Sequence, residues 1–396
     1  MRKSTVDSVS VCRGNAGKNF LMTAMLVLSI VLPSGMLMAE TTWTPYIDLY
    51  AVSNDNILFV EAEPEDDYIY NIEPGLSLSY NEELTRVTAD GSILVRRYQD
   101  NDELDNENYR FDLDGNTKFT ERFGMQGEYK FSKDTTLDSE LDETGRVTIR
   151  EERTRHDATL NPNFDITERT NIGVATRYRN VHYNSDTKVD YSVWDFSLPI
   201  QWTLQTQVDK LFIDPGYTYR DSDIHRSETY SFRIGWNHQA TERLSLDMSA
   251  GARYTDHKRL DTGETEDTWG GLGALKFKYA FETGRLFVDV SRDLRTTANG
   301  EQADVNRVSL RLKWHFSERF GAELGGQYYY TETEGQVSNE KTEFIRVGPD
   351  LFYNLTENHD IYISYDYSQE TRKDVVNQPT AERNRIWAGV RFNFPI

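Results

Sequence analysis

The chain has 396 residues, of which 44 are Lys or Arg and 65 are Asp or Glu, giving a formal charge of −21, and only 37% are apolar. So acidic a chain lacks the basic footprint that phosphate backbones demand, which excludes nucleic acid as a partner. The single cysteine, Cys12, precedes the first apolar run, so the rest of the chain uses neither disulfides nor thiolate metal sites.

The N-terminus reads as an export signal. Arg2, Lys3, Arg13 and Lys18 precede a largely apolar run from Phe20 to Ala39 that holds no acidic residue, the pattern of a Sec signal peptide cut near Leu37-Met38-Ala39. The expected division is a cleaved signal over residues 1–39 and one domain over 40–396. Beyond Ala39 no stretch approaches the ~20 consecutive apolar residues of a spanning helix. A membrane-resident remainder must therefore be a closed β-barrel, which satisfies its own backbone groups in lipid.

Along that remainder one polar turn phrase recurs: Tyr80 to Leu84, Phe119-Thr120-Glu121-Arg122-Phe123, Ile166 to Arg169, Ala240 to Leu244, Phe316-Ser317-Glu318-Arg319-Phe320 and Leu355 to His359. Looser turns at Leu204 to Gln207 and Phe281 to Arg285 complete a period of about forty residues. Between turns the residues alternate, as in Leu310, Leu312, Trp314 and Phe316 against Arg311, Lys313 and His315, the signature of strands with two unlike faces. Eight turns, with a strand at each end, predict an all-β, up-and-down antiparallel transmembrane barrel of about 18 strands, with short periplasmic turns and longer extracellular loops. A β-propeller shares the period, but these runs reach the ~9–11 residues of a tilted membrane strand.

Aromatic residues gather at the strand ends: Phe119, Phe123, Phe316, Phe320, Phe281, Trp202 and Tyr80 by the turns, and Tyr254, Tyr328 and Tyr330 towards the long loops. They suit the girdles found at lipid headgroups. The C-terminus, with Gly389, Phe392 and Phe394 before a trailing Pro395-Ile396, resembles the signal read by the barrel assembly machinery. An outer-membrane location in a Gram-negative bacterium is expected, in contact with lipid and lipopolysaccharide.

Extending the alternation assigns the lumen. Basic and acidic residues balance on the inward face, so the excess acid belongs to loops and turns. The sharpest candidates are a basic ladder of Lys276, Lys278, Arg307, Arg311 and Lys313 with Asp289 between its strands, and Arg177 and Arg179 elsewhere on the wall. Like charges lining a pore set its preference, here for an anionic solute or polymer. Inward Phe212, Tyr329, Phe352, Tyr362 and Trp387 are candidates for stacking on sugar rings or for packing against an inward loop. Three acidic loops, including Asp138, Glu140, Asp142 and Glu143, are expected at the outer surface. A long inward-folding constriction loop would favour a diffusion porin, yet no loop between strands greatly exceeds the others.

No H-E-x-x-H, G-x-S-x-G or phosphate-binding glycine loop is present, and the histidines are scattered; neither catalysis nor a metal or other cofactor is expected. Ser53-Asn54-Asp55-Asn56-Ile57, Asp67-Tyr68-Ile69 and Glu73-Pro74-Gly75-Leu76-Ser77-Leu78 resemble the porin 2 group of outer-membrane barrels. That resemblance implies export of a surface exopolysaccharide, or anchoring of its secretion machinery, with polysaccharide and periplasmic export proteins as partners. The alternatives are a passive or selective diffusion porin for small solutes or oligosaccharides, and a structural or adhesin barrel.

Overall fold

A computed structural model describes residues 40–146, 149–185, 187–334, 340–375 and 377–396; the expected signal over 1–39 lies outside them. The described chain is an all-β closed barrel of 18 antiparallel strands. They are β1 (Glu40–Asn54), β2 (Asp67–Asn81), β3 (Thr85–Tyr98), β4 (Asn106–Lys118), β5 (Phe123–Thr135) and β6 (Glu152–Thr167). Next come β7 (Thr170–Gly173 with Ala175–Tyr183), β8 (Tyr191–Ser197 with Ile200–Thr203), β9 (Asp209–Ser222), β10 (His225–Thr241), β11 (Leu244–Arg259) and β12 (Thr265–Phe281). The last are β13 (Gly284–Thr296), β14 (Gln302–His315), β15 (Phe320–Glu334), β16 (Lys341–Asn354), β17 (His359–Arg372) and β18 (Thr380–Asn393).

Each strand pairs with its sequence neighbours, and β1 pairs with β18 from Tyr46↔Asn393 to Asn54↔Arg385, closing the wall. The breaks in β7 and β8 have a local cause. Pro162 on β6, Pro199 at the break in β8 and Pro215 on β9 flank them, and lacking N–H groups they interrupt the ladder. Their carbonyls still accept from Val174, Gly173 and Leu198.

The alternation sends Leu310, Val308, Ile345, Ile361, Ile363 and Ile386 outward, where they are exposed as an apolar band. A closed wall with an apolar outside and a polar inside satisfies its backbone in lipid and no other solvent demands it. The protein is a multi-pass outer-membrane β-barrel.

The recurring turn phrase repeats as geometry. Thr120 Oγ1 accepts from the amides of Arg122 and Phe123 (3.3 and 2.9 Å), and Ser317 Oγ accepts from Arg319 and Phe320 (3.3 and 3.0 Å). Both tips carry a stacked Phe pair, Phe119 with Phe123 at 5.4 Å and Phe316 with Phe320 at 5.3 Å. A hydroxyl that satisfies the turn amides holds the two rings together at the rim.

The opposite end departs from expectation. The β5–β6 connection, residues 136–151, is the longest among the described loops, and residues 136–146 of it fold into the lumen rather than out to the surface. It begins with the helix α1 (Thr136–Thr144). Leu137 and Leu141, one turn apart, supply its apolar stripe, and Gly145 ends it in the left-handed region (φ 69°), its amide donating to Leu141 O at 3.1 Å. A Cβ at Gly145 would sit 2.5 Å from Tyr329 Cβ, so glycine is required there both for conformation and for space.

Candidate functional site: a constricted lumen

Helix α1 crosses from β5 and β6 to the far wall. Tyr329 Oη on β15 donates to the Asp142 carbonyl (2.8 Å), and Thr331 donates to the Thr144 carbonyl. Arg346 on β16 binds the Asp142 carboxylate (2.7 Å), and Arg295 on β13 donates to the Glu143 carbonyl (3.2 Å). Leu141 is fully buried with Phe59, Ala303, Val305, Tyr329, Phe344 and Ala381. The expectation that Glu140, Asp142 and Glu143 face the outer medium is therefore corrected; the Asp138 side chain lies outside the described set. Burying Leu137 and Leu141 outweighs solvating the loop, because the arginines of the wall neutralise the carboxylates.

Those arginines form a network at the base of the loop. Glu143 accepts from Arg153 (3.0 Å) and from Arg155. Asp157 below it accepts from Arg155 (2.8 Å), Arg177 (2.5 Å) and Arg179 (3.1 Å). Burial alone would raise the Glu143 carboxyl, but Arg153, Arg155 and Arg179 outweigh it and hold the group down at about 2. Glu140 goes the other way: it is fully buried, burial pushes its carboxyl up, the Glu143 charge adds to this, and Arg153 opposes it only in part.

Of the spaces beneath the loop, two share part of their lining. The larger, about 620 Å³, is lined by Arg307, Arg311, Arg346 and Arg385 together with Asp289, Glu323, Asp350 and Asp366. The smaller, about 350 Å³, carries Arg96, Arg150, Arg383 and Arg385 against Asp48 and Glu73. Arg385 and Trp387 line both. Above the loop an outer vestibule of about 880 Å³ is edged by Arg146, Arg150, Lys188 and Arg372. Burial holds the Lys188 ammonium below its ordinary range, with Glu140 opposing the shift.

The predicted site residues fall into three groups. Arg307, Arg311, Lys313 and Asp289 do share one stretch of wall. Arg307 pairs with Asp289 (3.0 Å) and Arg311 with Glu323 (3.0 Å), while Lys313 Nζ sits 5.0 Å over the Phe352 ring. Lys276 and Lys278 stand exposed two strands away, with Lys276 opposite Asp289 in register. Arg177 and Arg179 belong to the separate network around Asp157. Of the five cations in the ladder, Arg307 and Arg311 are thus held by carboxylates and Lys313 by a ring.

The aromatic candidates also divide. A Cβ at Gly235 would meet the Phe212 ring at 2.2 Å, one at Gly321 would meet Phe352 at 2.3 Å, and one at Gly389 would meet Tyr362 Oη at 2.6 Å. Each ring lies flat across a glycine of a neighbouring strand, and Tyr362 also donates to Asp48 (2.8 Å). Tyr329 is buried beneath α1, so it is packing and not a stacking platform. Trp387 keeps a face to both cavities, with the Arg385 guanidinium 5.7 Å over its ring.

Gly389 gives Tyr362 its place, while Phe394 turns outward. Beyond Phe394 the ladder continues: Phe394 donates to the Pro45 carbonyl (2.8 Å) and Ile396 to that of Trp43 (2.7 Å). The trailing dipeptide extends the closing seam. Sequence reasoning missed Arg153, Arg155, Arg346, Arg383 and Arg385, whose inward positions follow from the same alternation continued above the membrane. Among the described residues no three His, Cys, Asp or Glu side chains are placed to hold a metal ion.

Comparison with known proteins gives a likeness of shape. No protein-family model matches the chain, and no curated protein sequence matches it. Among solved structures, the outer membrane protein opdK from Pseudomonas aeruginosa is 8% identical, with a TM-score of 0.46, 90% of this chain and 99% of that one covered. OccAB3 from Acinetobacter baumannii is 9% identical, with a TM-score of 0.45 and coverages of 90% and 100%. Pseudomonas aeruginosa OccK2 (OpdF), in complex with glucuronate, is 10% identical, with a TM-score of 0.45 and coverages of 90% and 98%.

Proposed function

We propose that this protein is a selective, non-enzymatic diffusion porin for small hydroxylated anions. One observation carries the reading: α1 divides the lumen and leaves, beneath it, a passage in which Arg385 and Trp387 are shared by two cavities. In the smaller cavity Arg96, Arg150, Arg383 and Arg385 outnumber Asp48 and Glu73, which favours an anion. The alternating carboxylates of the larger cavity accept hydrogen bonds from hydroxyl groups, and the Trp387 face suits a sugar ring.

Export of an exopolysaccharide, the use implied by the porin 2 resemblance, asks an extended chain to thread a lumen that α1 crosses, so the solute reading has the better support. The test is reversal potential in a salt gradient across planar bilayers, joined to liposome swelling with sugar acids and neutral sugars of equal size. Anion selectivity with faster entry of the acids is expected; cation selectivity, or equal entry, would refute the reading. Charge reversal at Arg307, Arg311 and Lys313 together should shift selectivity towards cations, and an unchanged reversal potential would remove this stretch of wall from the conducting path.

A further inference from the structure

The ladder between β12 and β13 stops halfway. Its last pair is Gly273↔Arg292, yet β12 runs on to Thr265 against β11 and β13 runs on to Thr296 against β14. Above Gly273 the two strands part, and the β13–β14 tip turns into the lumen. There Gln302 donates to Ser227 Oγ on β10 (2.5 Å), the Ala298 amide donates to Glu140 (3.1 Å), and the Val189 amide donates to the Ala298 carbonyl (3.2 Å).

This parting begins at lipid height. Tyr217, Tyr230, Tyr254 and Trp269 stand opposite one another on the outer faces of β9 to β12, a belt of the kind that sits at headgroups. Gly271 lies one outward position to the membrane side of Trp269 and is already past the last pair. Trp269, flanked by β11 alone, is 76% exposed. An edge left open in hydrocarbon is costly unless something covers it.

The seam itself is filled by charge, from the inner face of β11 and the outward faces of β13 and β14. Arg253, only 1% exposed on the inner face of β11, crosses β12 at Gly270, where a Cβ would lie 2.5 Å from its guanidinium. It donates to Asp304 on β14 (2.6 Å), and Arg292 donates to the other oxygen of the same carboxylate (2.7 Å). Two guanidiniums thus meet across the parted strands on the two oxygens of one carboxylate.

We propose that this seam is a lateral portal to the outer leaflet that binds an amphiphile with an anionic head and a single alkyl chain. The head competes with Asp304 for Arg253 and Arg292. The chain lies outside, along the groove left where Gly271 and Gly273 of β12 adjoin Ala250 and Ala252 of β11. Charge selects the head and position in the hydrocarbon selects the tail. The portal does not depend on the solute-channel reading.

Trp269 fluorescence, taken as the difference from a Trp269→Phe variant, reads the groove. Decyl phosphate brominated on its chain, titrated onto the full-length barrel in nonionic micelles, should quench it saturably. Arg253→Gln and Arg292→Gln should each raise the half-saturating concentration about tenfold or more, and Asp304→Asn should lower it. Arg253 is buried, so folding of every variant is followed by heat-modifiable mobility. Should that variant fail, the half-exposed Arg292→Gln and the groove-filling Gly271→Leu carry the test. Equal quenching by an uncharged brominated decyl glycoside, or no change in Arg292→Gln, means plain micelle contact and overturns the proposal. Displacement by inorganic phosphate at equal concentration overturns the amphiphile assignment and leaves an anion site.

Discussion

The two halves of the lumen are built from the same strands and have opposite interiors. Towards the periplasmic turns the inward side chains are long and hydrated: Lys276, Lys278 and Arg311 are exposed. Towards the long loops they are small or tied down, with Ser227, Thr229, Thr255, Ala303, Thr331, Thr333 and Ser368 all buried, and with Arg153 and Arg253 held by carboxylates. The outward faces change too, from Val308, Leu310 and Ile345 in the lipid to Glu228, Asp256, Glu332 and Glu343 above the aromatic belt. The difference teaches that alternation records what lies outside the wall, whereas the size and chemistry of the inward residues record whether the inside is water or protein.

Breaking the contrast outright should have the largest effect. Replacing residues 136–144 with a short Gly/Ser turn empties the outer half, and conductance in planar bilayers should rise severalfold with loss of anion preference, because the constriction sets both. Next, Glu143→Gln takes from Arg153 and Arg155 the carboxylate that ties them to α1, leaving them on Asp134 and Asp157. The cost is at the low end of breaking a buried pair, about 3 kcal/mol, so α1 should undock and the channel record should show frequent openings. Leu141→Ala removes a fully buried side chain of the same cluster at a cost of about 2–5 kcal/mol, read as faster proteolysis within 136–151 on intact cells.

Acidity sharpens the comparison further. The Glu143 carboxyl is depressed to about 2, so its contribution to docking is complete above the ordinary carboxylate range and is lost as pH falls through that range towards 2. The raised Glu140 has the reverse sign: the docked helix holds this proton more tightly, so docking weakens as pH rises through its elevated value. Docking should therefore be tightest in mild acid, just above the ordinary carboxylate range. Glu140→Gln should remove the rise in openings towards neutral pH, measured as open-state occupancy against pH. The smallest effect belongs to the hydrated half, where Thr120→Ala and Ser317→Ala should each cost about 0.5–1.5 kcal/mol by chemical denaturation, since each removes one turn hydroxyl at an exposed rim.

The wall was legible in the sequence because its signals are local. A turn phrase, a period and a two-residue alternation gave the strand number, the hairpin tips and the inward place of Arg307, Arg311 and Asp289. The plug was not legible in the same way. Leu137 and Leu141 at helical spacing before Gly145 are a helix signal, but the acidic residues among them read as a solvated loop until the arginines of β6, β13 and β16 are brought alongside. Those contacts join residues such as Asp142 and Arg346 from opposite sides of the barrel, and no local pattern encodes them. Lumen aromatics failed for a related reason: Phe212 and Phe352 point inward as expected, but the glycine each one covers lies on a different strand.

The matching turns at Phe119–Phe123 and Phe316–Phe320 bear on how barrels of this kind change size. Each tip satisfies its own amides and brings its own pair of rings, so a hairpin carries everything it needs at the rim. Such a unit can be inserted or lost without retuning its neighbours, and circumference then changes in steps of two strands. Pore bore becomes a digital property of the gene, counted in hairpins, while selectivity is left to the few inward residues and to the helix that crosses them.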